Sequence, residues 1–232
     1  MTDVPDTVTD ALADVPVDGA VALEAGAGVG NGTAGLRDAG AGAVYAVTDD
    51  RAHAASVRER IPAAAVLQAD LRSIPLPDDT VDVVFAHALF NVLTNAAATA
   101  IADELTRVAA PDAWLVVDDY APIGHDEPIR RLFGVENALA ELADGRPAYV
   151  FHPDTELRSL FEARGWTHER TRDILEPVPW PRKLFDAHLD AARDTAASVP
   201  DHLADPLLDR ARELTERAPN STGRMYSVAM RR

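Results

Sequence analysis

Short apolar runs recur along the chain, each closed by glycine, proline or acidic residues, with longer stretches of helical period between them. Such runs read as buried strands, and a 3.6-residue repeat of apolar positions reads as a helix with one face on a core. The predicted strands are Ala20–Glu24, Ala43–Val47, Ala65–Gln68, Val81–His87 and Ala113–Asp118. Helices are predicted at about Gly32–Asp38, His53–Arg60 and Ala96–Ala109, the last carrying Ile101, Leu105 and Val108 on one face. Strand and helix in alternation imply an α/β fold with a mostly parallel sheet covered by helices.

After the fifth strand the rhythm changes. Ile129–Ala143 and Asp154–Arg164 have helical period, the second opening with Asp154 in the N-cap position and closing at Gly165. Trp166–Arg172 is a candidate sixth strand and Arg224–Met230 a seventh. Between them lies an insertion, Asp173–Thr222, with a Pro-Val-Pro-Trp-Pro stretch and helical patterns at Arg182–Ala197 and Pro206–Arg217. The chain carries no internal repeat, and its 232 residues suit one domain spanning 1–232. No apolar run is long enough to span a bilayer, and the acidic start Met-Thr-Asp-Val-Pro-Asp lacks the features of a signal peptide, so a cytoplasmic protein is expected.

The most informative segment is Glu-Ala-Gly-Ala-Gly-Val-Gly-Asn-Gly-Thr, residues 24–33, where the first strand meets a helix. Glycines at 26, 28 and 30 allow a sharp turn and a close approach of main chain to a ligand, and the helix starting near Asn31 aims its free N–H groups into the same space. A dinucleotide fingerprint would require Gly-x-Gly-x-x-Gly, but its last position falls on Asn31 or Thr33. An acid followed by Gly-x-Gly-x-Gly instead resembles the first motif of class I S-adenosylmethionine-dependent methyltransferases.

Further segments extend that resemblance over about residues 18–172. The second strand runs into Thr-Asp-Asp, where the family places an acid on the cofactor ribose. Thr48 aligns most simply and Asp49 is favoured, with Asp50, and a helix-capping acid pair, as the alternatives. Gln-Ala-Asp-Leu-Arg after the third strand offers Asp70 to the adenine amino group and Leu71 to the ring, as the resemblance implies. Asp82 would fix the start of the fourth strand, and His87 and Ala88 would stand beside the sulfonium. Gly26, Gly28 and Gly30 would approach the methionine part and ribose, and Glu24 would hold the ammonium directly or through water. The resemblance thus implies a Rossmann-like three-layer sandwich with a seven-stranded sheet, its last strand antiparallel, and S-adenosyl-L-methionine as cofactor.

Composition narrows the chemistry. There are 38 Asp and Glu against 22 Lys and Arg, a net charge of −16, and the only lysine is Lys183. The absence of cysteine excludes disulfides, thiolate metal sites and a cysteine nucleophile, and with it cytosine C5 methylation. One lysine cannot supply the lysine pair of the ribose-methylating branch. Ala-His-Ala-Leu-Phe-Asn after the fourth strand lacks the Asn-Pro-Pro-Tyr-like tetrapeptide of the branch that methylates adenine and amide nitrogens. An acidic surface repels phosphate, which disfavours nucleic acid and anionic membranes as partners and suits a halophilic, salt-rich cytoplasm or an acidic mesophile.

The segment Ala-His-Ala-Leu-Phe-Asn-Val-Leu instead resembles the post-strand helix of the family's small-molecule enzymes, and that resemblance implies methyl transfer to an O or N atom of a small molecule. The alternatives are an RNA or protein methyltransferase, for which Arg130, Arg131, Arg182 and Lys183 are the tempting basic clusters, and a non-catalytic binder of the cofactor. His87 and Asn91 are the candidate catalytic residues, His87 as a base or a positioning group. Asp118, Asp119, Tyr120 and His125 can shape an acceptor pocket, hold a divalent cation as in catechol-type enzymes, or form a solvated acidic loop. No metal is expected, and His152 is either a site group or a bracket for the helix after it. Trp180, Phe185 and His188 make the insertion a candidate lid or dimer surface of a monomer or homodimer, against helices that simply extend the core.

Overall fold

The computed structural model describes residues 4–217 and 221–232. Seven strands form one sheet in the order β3-β2-β1-β4-β5-β7-β6: β1 Val21–Ala25, β2 Ala43–Thr48, β3 Ala65–Gln68, β4 Val81–His87, β5 Ala109–Tyr120, β6 Thr167–Trp180 and β7 Ser221–Arg231. The first five are joined in parallel, and β7 enters antiparallel between β5 and β6, as the last strand was expected to run. The helices are α1 Asp6–Leu12, α2 Asn31–Asp38, α3 Arg51–Arg60, α4 Asn95–Val108, α5 Pro128–Asp144, α6 Asp154–Glu162, α7 Arg182–Ala196 and α8 Asp201–Arg217. No helix among the described residues is long and apolar enough to cross a membrane.

Side chains alternate across a strand, so β4 serves two cores. Val83 and Phe85 face the layer containing α1, α5, α7 and α8, whereas Val84 and Ala86 face α4 and α6. The predicted face of α4, Ile101, Leu105 and Val108, is buried in that second core. Asp82 acts at the strand start, accepting from the Val21 backbone N–H at 2.9 Å and so tying β4 to β1. Because β1 pairs with both β2 and β4, the strand order reverses there, which opens a crevice at the carboxyl ends.

Several boundaries differ from the sequence pattern, four of them instructively. β5 begins at Ala109, ahead of the predicted Ala113, because its first residues pass through Pro111 and Asp112, the latter left-handed at φ 66°. β6 continues past Arg172 to Trp180. It is an edge strand, where prolines and acids are tolerated because one row of N–H groups faces no partner. At α6 the N-cap position belongs to Pro153, with no side-chain cap, and Asp154 is the first helical residue. α8 starts at Asp201 and carries Pro206 inside, where the pattern placed a helix start.

The β6–β7 hairpin reaches beyond the rest of the sheet. β5 ends at the pair Tyr120↔Met225, but β6 and β7 continue through Val178↔Gly223 to Trp180↔Ser221. α7 and α8 hang from that overhang and pack with α5, burying Phe185, Leu189, Ala192 and Leu214 with Ile129, Leu132 and Leu139. Glu127, just before α5, accepts from the Thr222 backbone N–H at 3.1 Å and ties the layer to the hairpin. The insertion is therefore a strand extension plus two helices that join α5, at the end of the sheet where the crevice opens.

Candidate active site

The loop after β1 turns through left-handed glycines, with φ of +75° at Gly26, +43° at Gly28 and +86° at Gly30. Gly26 and Ala27 donate their N–H groups to the Val47 carbonyl, both at 2.9 Å, and this fixes the loop over the end of β2. Gly26 and Gly28 line a cleft of about 690 Å3. A Cβ at Gly28 would meet only the Gly26 carbonyl, at 3.8 Å, so it would stand in open cleft space. Gly30 does not line the cleft. It is the N-cap of α2, and a Cβ there would press on Ile61 at 3.1 Å and Val57 at 3.3 Å of α3.

Glu24 also lies beneath the loop rather than in the cleft. Its two oxygens accept from the N–H groups of Gly32 at 3.0 Å and Thr33 at 2.7 Å, and from the Thr33 hydroxyl. Full burial pushes its carboxyl up to about 7, against the pull of Thr33, His87 and Gly32. This acid anchors the start of α2 and is not placed to touch a ligand ammonium. Gly32, outside the Gly-x-Gly-x-Gly motif, belongs to this anchor: a Cβ there would come within 2.3 Å of Glu24 Oε1 and 2.9 Å of Phe85.

The three candidates after β2 separate. Thr48 is buried, and its hydroxyl accepts from the Asp50 N–H at 3.2 Å. Asp50 caps α3, accepting from the His53 N–H at 2.8 Å, and that bond holds its carboxyl below the usual range. Asp49 is exposed, lines the cleft and makes no hydrogen bond among the described residues. Asp70 and Leu71 line the same cleft, but Asp70 is gripped by Arg72, with Nη2–Oδ2 at 2.6 Å and Nε within 3.0 Å of both oxygens. The Arg72 guanidinium lowers the Asp70 carboxyl to about 2.

At the carboxyl end of β4, His87 lines the cleft and its Nδ1 lies 2.8 Å from Asp118 Oδ2. Asp118 is fully buried, and its other oxygen, Oδ1, has no hydrogen-bond partner. Burial opposes the imidazolium, yet the bond to Asp118 and the charges of Asp118, Glu24 and Asp119 outweigh it and raise His87 above its ordinary value. Next in the chain Ala88 turns left-handed at φ 47°, and Leu89 packs on Gly26 so closely that a Cβ there would sit 2.7 Å from Leu89 Cδ1.

Asn91 is not a cleft residue. Its side-chain amide donates to Asp119 Oδ1 at 2.6 Å and to the Ala88 carbonyl at 3.2 Å, and its backbone N–H donates to Asp119 Oδ2 at 3.0 Å. Asn91 and the buried Asp119 therefore lock the strained turn that carries His87 and Leu89. Desolvation lifts the Asp119 carboxyl to about 6. The other candidates fall outside the cleft. His125 contacts Arg130 at the surface, and His152 is buried beside Glu156 at 3.3 Å while its carbonyl accepts from the Tyr226 hydroxyl at 2.9 Å. Tyr120 and Trp180 join an aromatic cluster around Phe133, and His188 pairs with Glu136 of α5 at 3.0 Å. Among the described residues no group of three or more His, Asp or Glu could hold a metal ion.

Residues 23–117 match the family model described as a methyltransferase domain. No curated protein sequence matches the chain. Solved structures show the fold: a protein of Bacillus halodurans C-125 assigned as a methyltransferase superposes with a TM-score of 0.69 at 13% identity, covering 97% of both chains. An S-adenosylmethionine-dependent methyltransferase of Mesorhizobium loti gives 0.60 at 14% identity, covering 98% of each. A geranyl diphosphate methyltransferase solved in complex with the same cofactor gives 0.59 at 14%, covering 97% of this chain and 82% of the other.

Proposed function

We propose that this chain is an S-adenosylmethionine-dependent methyltransferase that transfers a methyl group to an oxygen or nitrogen of a small molecule, with His87 taking the acceptor's proton. The observation that carries the reading is the His87–Asp118 pair at the wall of the glycine-loop cleft. The cofactor, S-adenosylmethionine, fits the residues present. Left-handed Gly26 and Gly28 leave cleft space that a Cβ at Gly28 would take, Asp49 offers a carboxylate with no competing hydrogen bond, and Leu71 offers an apolar surface. In this reading Gly26 and Gly28 hold the methionine and ribose portions, Asp49 the ribose hydroxyls, and Asp70 with Leu71 the adenine. When bound, the cofactor supplies a methyl group on a positively charged sulfur, which leaves as a neutral thioether.

The chain's own part is positioning and proton removal. Asp118 accepts from Nδ1 and so fixes the imidazole ring, leaving Nε2 to accept a proton from an acceptor O–H or N–H as the new bond forms. Asp119 and Asn91 hold the turn that presents His87, as positioning residues. A cleft of about 690 Å3 that must also admit the cofactor leaves room for a small acceptor. The acidic surface fits a halophilic cytoplasm, in which the protein works as a monomer or homodimer.

A methyl-release screen against a metabolite pool and total RNA tests this reading. Label entering the metabolite fraction, and lost in His87→Gln, supports it. Label entering only RNA or protein, or none from a folded protein, would overturn it.

A further inference from the structure

Arg146 follows Gly145, the left-handed C-cap of α5, and lines the cleft together with Val92, Leu93 and His87. Its guanidinium makes no hydrogen bond or ion pair among the described residues. The chain has a net charge of −16, and the cleft's other arginine, Arg72, is held by Asp70 at 2.6 Å. Of the cleft's acids, Asp50 caps α3 and Asp70 holds Arg72, and Asp49 stands with the second-strand residues.

The backbone that carries Arg146 is anchored. Asn137 of α5 accepts from the Tyr149 N–H at 2.8 Å and donates to the Tyr149 carbonyl at 2.9 Å. Val150 donates its N–H to the Asn91 carbonyl at 2.7 Å, on the same turn that presents His87. The segment continues from the end of α5, where the Gly145 N–H donates to the Glu141 carbonyl at 3.0 Å, and its far end at Tyr149 and Val150 is tied to both α5 and the catalytic turn. A cation with rigid forked donors, in a cleft whose other arginine is already paired, suits a planar or tetrahedral oxyanion.

We propose that Arg146 is a specificity-determining residue that binds a carboxylate or phosphate group in the cleft. The inference rests on the methyltransferase reading. Two sources share this chemistry: an acid group on the acceptor, or the carboxylate of the cofactor's methionine part. The acceptor is the expected source, because the glycine loop, Asp49 and Asp70 all come from the β1–β3 half, whereas Arg146 comes from the strap between β5 and β6.

Calorimetry on wild type and Arg146→Ala tests this with four probes: S-adenosylhomocysteine, its decarboxylated analogue, and benzoate and inorganic phosphate added to the S-adenosylhomocysteine-loaded protein. Losing a charge-assisted bond should cost about tenfold in affinity. Benzoate or phosphate weakened about tenfold, with S-adenosylhomocysteine unchanged, supports the proposal and assigns the acid to the acceptor. S-adenosylhomocysteine weakened about tenfold, with its decarboxylated analogue unchanged, supports it and assigns the acid to the cofactor. Equal affinities of wild type and variant for every probe, or no binding of either anion beside an unaltered S-adenosylhomocysteine affinity, overturns it. If wild type fails to bind S-adenosylhomocysteine, the methyltransferase reading itself fails, which is a separate result. Unfolding of Arg146→Ala should match wild type, because the side chain touches no partner that the fold needs.

Discussion

Gly32→Ala should be among the most damaging single-methyl additions to this chain. The new Cβ would lie 2.3 Å from Glu24 Oε1, 2.8 Å from its carboxyl carbon and 2.9 Å from Phe85 Cδ1, all side chains fixed in the core. Relief requires the carboxylate to move by about an ångström, which breaks its bonds to the N–H groups of Gly32 and Thr33 at 3.0 and 2.7 Å. Overpacking costs roughly 1–3 kcal/mol, and each lost hydrogen bond to a charged group about 1.5–3 kcal/mol. Alanine recovers about 1 kcal/mol of helix propensity. The net is on the order of 4 kcal/mol, which for a domain of this size lowers Tm by about 8–16 °C. Gly134→Ala is the internal control: the site is exposed in the middle of α5, and a Cβ there meets nothing within 4 Å. It should raise Tm by a few degrees at most, roughly 0.5–1 kcal/mol. Thermal unfolding followed by far-UV circular dichroism reads both. A Gly32→Ala protein melting within about 2 °C of wild type would refute the claim that Glu24 is a fixed strut under the loop.

Three other expectations rest on the same geometry. The raised His87 must be neutral to accept a proton, so kcat/KM should increase with pH through an apparent pKa above 6.5. Asp118→Asn should lower that midpoint as well as the rate, and a flat profile in wild type would remove His87 as the base. Glu24 at about 7 and Asp119 at about 6 both lie above their unfolded values, so the stability they confer is complete below about pH 4 and is lost as pH rises through 6 to 7. The loss is on the order of 3 kcal/mol for each, and urea unfolding from pH 5 to pH 8 should show a decline that the Glu24→Gln, Asp119→Asn double variant flattens; stability rising across that window would contradict the assignment. Asp49→Ala should weaken S-adenosylhomocysteine about tenfold or more with Tm unchanged, whereas Asp50→Ala should cost about 1 kcal/mol of stability through its cap and leave affinity nearly intact. The reverse pattern would exchange their roles.

The central strands were legible because both their faces are buried: Val81–His87 has matching predicted and observed bounds, and its apolar run Val83–Ala86 lies wholly in the core. The edge was not, because β6 buries little and carries Glu176, Pro177 and Pro179, which in a sequence look like a linker. α1 escaped notice, being seven residues long. Within the site, the glycine spacing pointed to the loop, and Thr48, Asp49 and Asp50 all line the cleft beside it. What sequence could not supply was orientation. Glu24, Gly30 and Asn91 are the right residues in the right segment, yet each points into the protein, Glu24 to α2, Gly30 to α3 and Asn91 to Asp119. Arg146 had no motif to mark it, and its only signal was an arginine beside the Gly145 helix stop.

The central claim is that the loop from Gly26 to Gly30 opens a cofactor site. Isothermal titration with S-adenosylhomocysteine, in high salt, of wild type and of Gly28→Val measures it directly. Position 28 sits at φ +43°, where valine is strained by about 1–3 kcal/mol, but its Cβ would enter cleft space rather than the core, so the variant should lose some stability and stay folded, which its circular dichroism spectrum checks. Saturable binding by wild type at one site per chain, and none by Gly28→Val, is the predicted result. Equal affinity in the two proteins, or no heat of binding from a folded wild type, would contradict it.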